Sequence, residues 1–93
     1  MVRFHLEPAG RERARAAMLD VARLMHDVPG CRRFEVFEPE EDAEHLWFSE
    51  LWRDRASFEQ HSAERPAAIA ALARTIAATF ASPPEVATYT VLA

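Results

Sequence analysis

The order in which hydrophobic periodicity changes along the chain predicts an α+β fold of the ferredoxin-like type, βαββαβ, with a four-stranded antiparallel sheet. Short alternating segments predict strands, and longer segments with apolar residues three and four positions apart predict helices. Proline or glycine falls between these segments, where turns are expected. Because the chain has 93 residues, we expect a single domain over residues 1–93.

The N-terminal third predicts a strand followed by a helix. Residues 2–6 alternate apolar and polar side chains, and from Arg11 the apolar residues recur at helical spacing. The strand's apolar face is Val2, Phe4 and Leu6, and the helical stripe is Ala14, Ala17, Met18, Val21, Leu24, Met25 and Val28. Pro29 and Gly30 predict the end of this helix.

Two strands follow, separated by an acidic turn that contains a proline. Residues 31–38 alternate, with Phe34 and Val36 on one face and Cys31 and Phe37 on the other. The next strand, residues 45–52, is apolar on both faces. One face carries Leu46, Phe48, Glu50 and Trp52, and the other carries Trp47, Ser49 and Leu51. Because helices cover only one face of such a sheet, we expect a homodimer formed through the other face.

The C-terminal part predicts two helical segments and a last strand. Asp54 is a suitable N-cap for a helix that begins near Arg55, and Pro66 suits the first turn of a second segment. The second segment's apolar stripe is Ile69, Leu72, Ala73, Ile76 and Phe80. Residues 82–84 end it, and residues 86–92 alternate as a strand.

Composition excludes several classes of protein. The net charge of −4 argues against a nucleic-acid partner, and no apolar run is long enough to span a membrane. The N-terminus shows no signal peptide, and the single cysteine allows no intramolecular disulfide, so we expect a cytoplasmic protein. With two glycines there is no phosphate-binding loop, and the histidines lack metal-ligand spacing, so we expect no cofactor and no metal.

The segment "VPGCRRFEVFEPEEDAEHLWFSELWRDRASFEQHSAERP", with the alanine-rich helix and "PPEVATYTVL" after it, resembles the antibiotic biosynthesis monooxygenase family. The resembling features are the PGC turn, the E-x-W strand end and the F-x-x-H spacing on the following helix, and they extend over residues 28–92. The resemblance implies a dimeric α+β barrel. It also implies relatives that oxygenate anthrones or quinols without a cofactor, degrade haem, isomerise small signalling molecules or have no known activity.

The candidate site residues lie at the end of the third strand and on the helix after it. The resemblance implies that Trp52 lines a cavity between sheet and helices; the plainer alternative is a core tryptophan. His61 lies three residues after Phe58 on one helix face and is the candidate general base, since histidine titrates near neutral pH. A partly exposed histidine with local contacts is the alternative. Trp52, Phe58 and Phe48 are the predicted substrate-binding residues, and a small aromatic molecule is the expected ligand.

Two features depart from the family's pattern. Phe58 lacks the hydroxyl that some monooxygenase members carry at this position, and the chain has no asparagine, which argues against haem degradation. Glu50 and Arg33 are the remaining polar candidates, although a surface or cross-strand pair is the simpler interpretation. Despite these departures, the activity that the resemblance implies, and that we expect, is that of a cofactor-free monooxygenase acting on a quinol- or anthrone-like molecule. The alternative is a non-catalytic ligand-binding or structural dimer of the same fold.

Overall fold

The computed structural model describes all 93 residues and confirms the ferredoxin-like fold. Four strands form one antiparallel sheet in the order β2-β3-β1-β4, and the helices pack on one face of it. The elements are β1 (Val2–His5), a 3-10 turn (Pro8–Gly10), α1 (Arg11–Met25), β2 (Cys31–Phe37), β3 (His45–Trp52), α2 (Arg55–Ala63), α3 (Ala67–Ala77) and β4 (Glu85–Val86). None of the helices is long and apolar enough to cross a bilayer.

The hydrophobic core lies between the sheet and the helices α1 and α3. Its fully buried large side chains are Leu6, Met18, Met25 and Leu46. Each burial of this kind contributes roughly 1.5–3 kcal/mol to the free energy of unfolding. Packing is less complete toward the end of β3 that carries Trp52. There Phe34, Phe48 and Trp52 are only partly buried against the core. The cavity described below lies at this open end.

The first helix is shorter than predicted. It ends at Met25 rather than Val28, and residues 26–30 form a turn in which Gly30 has a φ of 83°. Leu24, which the helical stripe included, is 38% exposed. The helix ends early because the residue before a proline is displaced from the helical region and Gly30 supplies the left-handed turn.

Two predictions about strands were wrong. The last strand comprises only Glu85–Val86, paired with β1, and residues 87–93 continue as an exposed segment. Pairing stops there because residues 88–92 have no neighbouring strand in the chain. Cys31 does not share a face with Phe37, because an irregularity between Cys31 and Arg33 shifts the register and places Cys31 opposite Trp52. Cys31 consequently packs against the core.

Candidate functional site

The first residues on the inner face of β3 belong to the hydrophobic core, and the last ones line the candidate site. Leu46 has no exposed surface, Phe48 contacts the core, and Glu50 and Trp52 come next on the same face. The register places Phe48 between Val2 of β1 and Val36 of β2. The strand's alternation thus carries one carboxylate and one indole into the space beneath α2.

A short connection fixes α2 relative to the end of β3. Asp54 caps the helix, since its Oδ1 accepts a hydrogen bond from the backbone N–H of Ser57 at 2.8 Å. The backbone N–H of Arg53 donates to the carbonyl oxygen of Gly30 at 2.7 Å, and the Arg53 guanidinium donates to Ser57 Oγ at 2.9 Å. These contacts attach the strand end, the turn before β2 and the first turn of α2 to one another.

Three of the predicted site residues form one aromatic cluster. The ring centroids of Trp52 and Phe58 lie 5.8 Å apart in an edge-to-face arrangement, and those of Trp52 and His61 lie 5.3 Å apart. The i, i+3 spacing of Phe58 and His61 places both above the indole, as the sequence predicted. Trp52 is partly buried, so it is not a fully enclosed core residue.

Two cavities adjoin this cluster. The inner cavity, of about 350 Å³, lies between the sheet and α3 and is lined by Phe48 and His61 among other residues. The outer cavity, of about 390 Å³, is lined by Trp52 and Phe58 together with the C-terminal segment. The four predicted site residues are therefore divided between the two cavities, and the contact between Trp52 and His61 links them.

The inner cavity has the form of a small-molecule site. Aromatic rings from β1 and β2, Phe4 and Phe34, lie beside Phe48 at centroid distances of 5.2 and 4.9 Å. Aliphatic side chains of α3 such as Ile69 and Ile76 form the opposite wall. Its volume falls within the range of typical ligand clefts, about 300–1,000 Å³. The cavity can accept a flat aromatic molecule.

Three polar side chains enter this apolar space: Glu50, His61 and Arg65. Burial lowers the pKa of His61, and the positive charge of Arg65 lowers it further. Neutral imidazole is therefore the favoured form at neutral pH, and it can accept a proton. Burial raises the pKa of Glu50, while the amino-terminal charge, the Trp52 indole and Arg65 offset that rise only in part.

The sequence analysis named Glu50 as a polar candidate but favoured its pairing with Arg33, and it did not identify Arg65. Arg33 does not pair with Glu50, because Arg33 Nε donates to Glu35 Oε1 at 2.7 Å and Phe34 is the residue opposite Glu50. The alternation of β3 could have identified Glu50 as a site residue, because it places this charged residue on the same face as the apolar residues Phe48 and Trp52. No comparable signal identified Arg65, which reaches the cavity only because α2 ends just before it.

The raised pKa of Glu50 predicts a pH-dependent stability difference. The pKa of Glu50 in the folded protein lies above the ordinary value of 4.5, so folding favours the protonated carboxyl. The resulting gain in folding stability is complete below pH 4.5 and is lost as the pH rises through the folded-state pKa. Glu50→Gln should therefore raise the melting temperature at pH 8 and have little effect at pH 4. Glu41→Gln, in the exposed turn, serves as the control for thermal melts at both pH values. A Glu50→Gln protein that melts lower than wild type at pH 8 would contradict this prediction.

No group of three or more histidine, cysteine, aspartate or glutamate side chains is arranged to hold a metal ion. Fold and cavity together describe a ferredoxin-like protein with an aromatic pocket between its sheet and its helices. The family model "Antibiotic biosynthesis monooxygenase" matches residues 1–78, and the chain belongs to that family.

Solved structures agree with this assignment at the level of the fold. An antibiotic biosynthesis monooxygenase superimposes with a TM-score of 0.86 at 18% identity, covering 99% of this chain and 95% of that one. Rv0793 from Mycobacterium tuberculosis gives a TM-score of 0.83 at 21% identity, covering 99% and 91%. An anthrone oxidase-like protein gives 0.76 at 18% identity, covering 90% of this chain and 39% of that one. A search of curated proteins found no match.

Proposed function

We propose that this protein is a cofactor-independent monooxygenase that oxygenates an electron-rich aromatic molecule, a quinol or an anthrone, in the inner cavity. The observation that carries the proposal is the aromatic-lined space of about 350 Å³ with a proton-accepting histidine in its wall. Family membership and the resemblance to an anthrone oxidase-like protein support it.

The chemistry requires little of the protein. His61 takes a proton from the substrate, and the resulting anion passes one electron to dioxygen. The two radicals combine to a peroxide anion, which takes the proton back from His61. Loss of the proton on the oxygenated ring carbon and cleavage of the O–O bond then leave one oxygen atom in the product and release the other as water, with every electron supplied by the substrate. The ring lies against Phe48, where apolar walls exclude water, and the Trp52 indole fixes the position of the His61 imidazole.

Oxygen uptake tests this function. Metal-free protein is mixed with a panel of hydroquinones and anthrones in an oxygen electrode, with chelator present. We expect enzyme-dependent uptake of one dioxygen per substrate for at least one compound. If the compounds bind but no uptake exceeds the uncatalysed rate, the protein is instead the non-catalytic ligand-binding module that shares this fold.

We further propose that the protein is a homodimer joined through the outer face of the sheet. On that face Phe37 lies opposite Trp47 across the β2–β3 pair and is 39% exposed. At the other edge of the sheet, the segment after β4 exposes Tyr89, Val91 and Leu92 at 68%, 64% and 93%, with no strand to pair with in the same chain. A second copy would cover these apolar groups and could supply the missing strand partner.

Light scattering at micromolar concentration tests the dimer. We expect a dimer for wild type and a monomer for Trp47→Glu, because a charge on the outer face would be buried without a partner. Leu19→Glu is the matched control, since Leu19 is an exposed apolar residue on α1, and it should remain dimeric. A monomeric wild-type protein would contradict the proposal.

A further inference from the structure

Glu50 is a charged side chain at a position where the strand pattern places core residues. Its neighbours along the inner row of β3 are Phe48 and Trp52, and Phe34 lies opposite it on β2. Arg33 is engaged with Glu35. The positive charges that act on Glu50 are those of Arg65 and the amino terminus, and neither group forms an ion pair with its carboxylate. Holding a carboxylate in such surroundings is costly unless it has partners, so its presence calls for a role that the core does not provide.

The position of Glu50 relative to the two cavities is unusual. Glu50 and Val2 are the two residues that line both the inner and the outer cavity. Val2 is apolar, so the carboxyl is the polar group at this boundary. A ligand in the inner cavity therefore has Glu50 on the sheet side and His61 on the side of α2.

The indole of Trp52 adds an independent observation. Its Nε1 atom is buried and makes no well-formed hydrogen bond. The same N–H is nonetheless close enough to the Glu50 carboxyl to lower the pKa of that group. A buried donor beside an acceptor that has no ion-pair partner is an incompletely satisfied polar pair, and such pairs call for an explanation in terms of a ligand or of function.

We propose that Glu50 accepts a hydrogen bond from a substrate hydroxyl other than the one that His61 deprotonates, and that Trp52 is a positioning residue for the carboxylate. This inference rests on the proposed function and makes it more specific. The preferred substrate is an aromatic ring with two oxygen substituents, one reaching the helix side of the cavity and one reaching β3. Glu50 is then the residue that distinguishes a dihydroxylated ring from its monoether.

Binding under argon tests the inference without turnover. Naphthalene-1,5-diol and its monomethyl ether are titrated into the protein, and binding is followed by isothermal titration calorimetry. A hydrogen bond to a charged acceptor should make wild type favour the diol by roughly tenfold or more. Glu50→Met, which keeps the side-chain length but removes the acceptor, should abolish that preference, because the two compounds then differ only by a methyl group that no acceptor distinguishes.

Further variants complete the experiment. Glu59→Met, at an exposed position on α2, should behave as wild type. Glu50→Gln keeps an acceptor without its charge, so its diol preference should fall to an intermediate value; this variant also serves if Glu50→Met does not fold. Trp52→Phe should shift the loss of diol affinity on acidification to higher pH, because the indole N–H lowers the pKa of Glu50.

The outcomes separate the inference from the proposed function. If wild type binds both compounds and the diol preference survives in Glu50→Met or remains at its full wild-type value in Glu50→Gln, Glu50 is not the hydroxyl acceptor and the inference is overturned while the cavity function stands. An unchanged pH dependence in Trp52→Phe removes the positioning role of Trp52. If neither compound binds to wild type, both the cavity function and the inference fail.

Discussion

Replacing His61 with alanine is expected to lower turnover by roughly 10²-fold or more and to leave the fold intact. The imidazole lies in the wall of the inner cavity, 5.3 Å from the Trp52 ring, where it would face an aromatic molecule in that cavity. Because His61 is only partly buried and lies on the short helix α2, its loss removes little packing. The measurement is kcat together with the melting temperature.

His26→Ala is the matched control, because His26 is exposed at the end of α1 and lies away from both cavities. It should retain wild-type turnover. The pH profile adds a second readout: burial and Arg65 lower the pKa of His61, so wild-type activity should decline only at a pH below the ordinary histidine value of 6.5. A His61→Ala protein with undiminished kcat would remove His61 from the mechanism.

Replacing Gly30 with alanine is expected to reduce the free energy of unfolding by about 2–5 kcal/mol. Gly30 has a φ of 83°, which a side chain disfavours, and a Cβ there would lie 2.5 Å from Ser57 Oγ. The substitution would also displace the carbonyl that receives the Arg53 N–H at 2.7 Å. Because this turn contacts both the end of β3, through Arg53, and the first turn of α2, through Ser57, catalytic activity should fall together with stability.

A double-mutant cycle separates the two causes. Ser57→Gly removes the atoms with which the new Cβ collides, so the combined variant should be less destabilised than the sum of the single variants. What remains is the cost of the left-handed backbone at position 30. Denaturant unfolding supplies the free energies. Strict additivity, or a Gly30→Ala protein as stable as wild type, would contradict this account of the turn.

Local pattern was sufficient to predict most of the fold. The bounds of β3, residues 45–52, and the start of α2 at Arg55 after the Asp54 cap follow directly from alternation and capping chemistry. Both signals involve residues within a few positions of each other. The break before Pro66 likewise predicted two helical segments, which the structure contains as α2 and α3.

The two wrong strand predictions have causes that lie outside the local sequence. Alternation alone predicted a strand over residues 86–92, but a strand also needs a neighbour, and only Glu85–Val86 has one in the chain. The face of Cys31 depends on a register shift against β3 that the sequence of β2 does not reveal. Residue types and their spacing within one strand do not show which other strand it pairs with or in which register.

The site was predictable only in part. The helical spacing of Phe58 and His61 and the position of Trp52 at the strand end placed these residues together, as the ring distances confirm. Their division between two cavities depends on packing against α3 and the C-terminal segment. Arg65 reaches the inner cavity through the geometry of the connection between α2 and α3, which no periodicity describes.

Isotope labelling tests the central claim most directly. The metal-free protein is supplied with ¹⁸O₂ and the best quinol or anthrone from the uptake panel, and the product is analysed by mass spectrometry. The proposed monooxygenase reaction predicts one ¹⁸O atom per product molecule and one in water, with the rate strongly reduced in His61→Ala. A product without the label, or labelling at the same rate in the absence of the protein, would contradict the account.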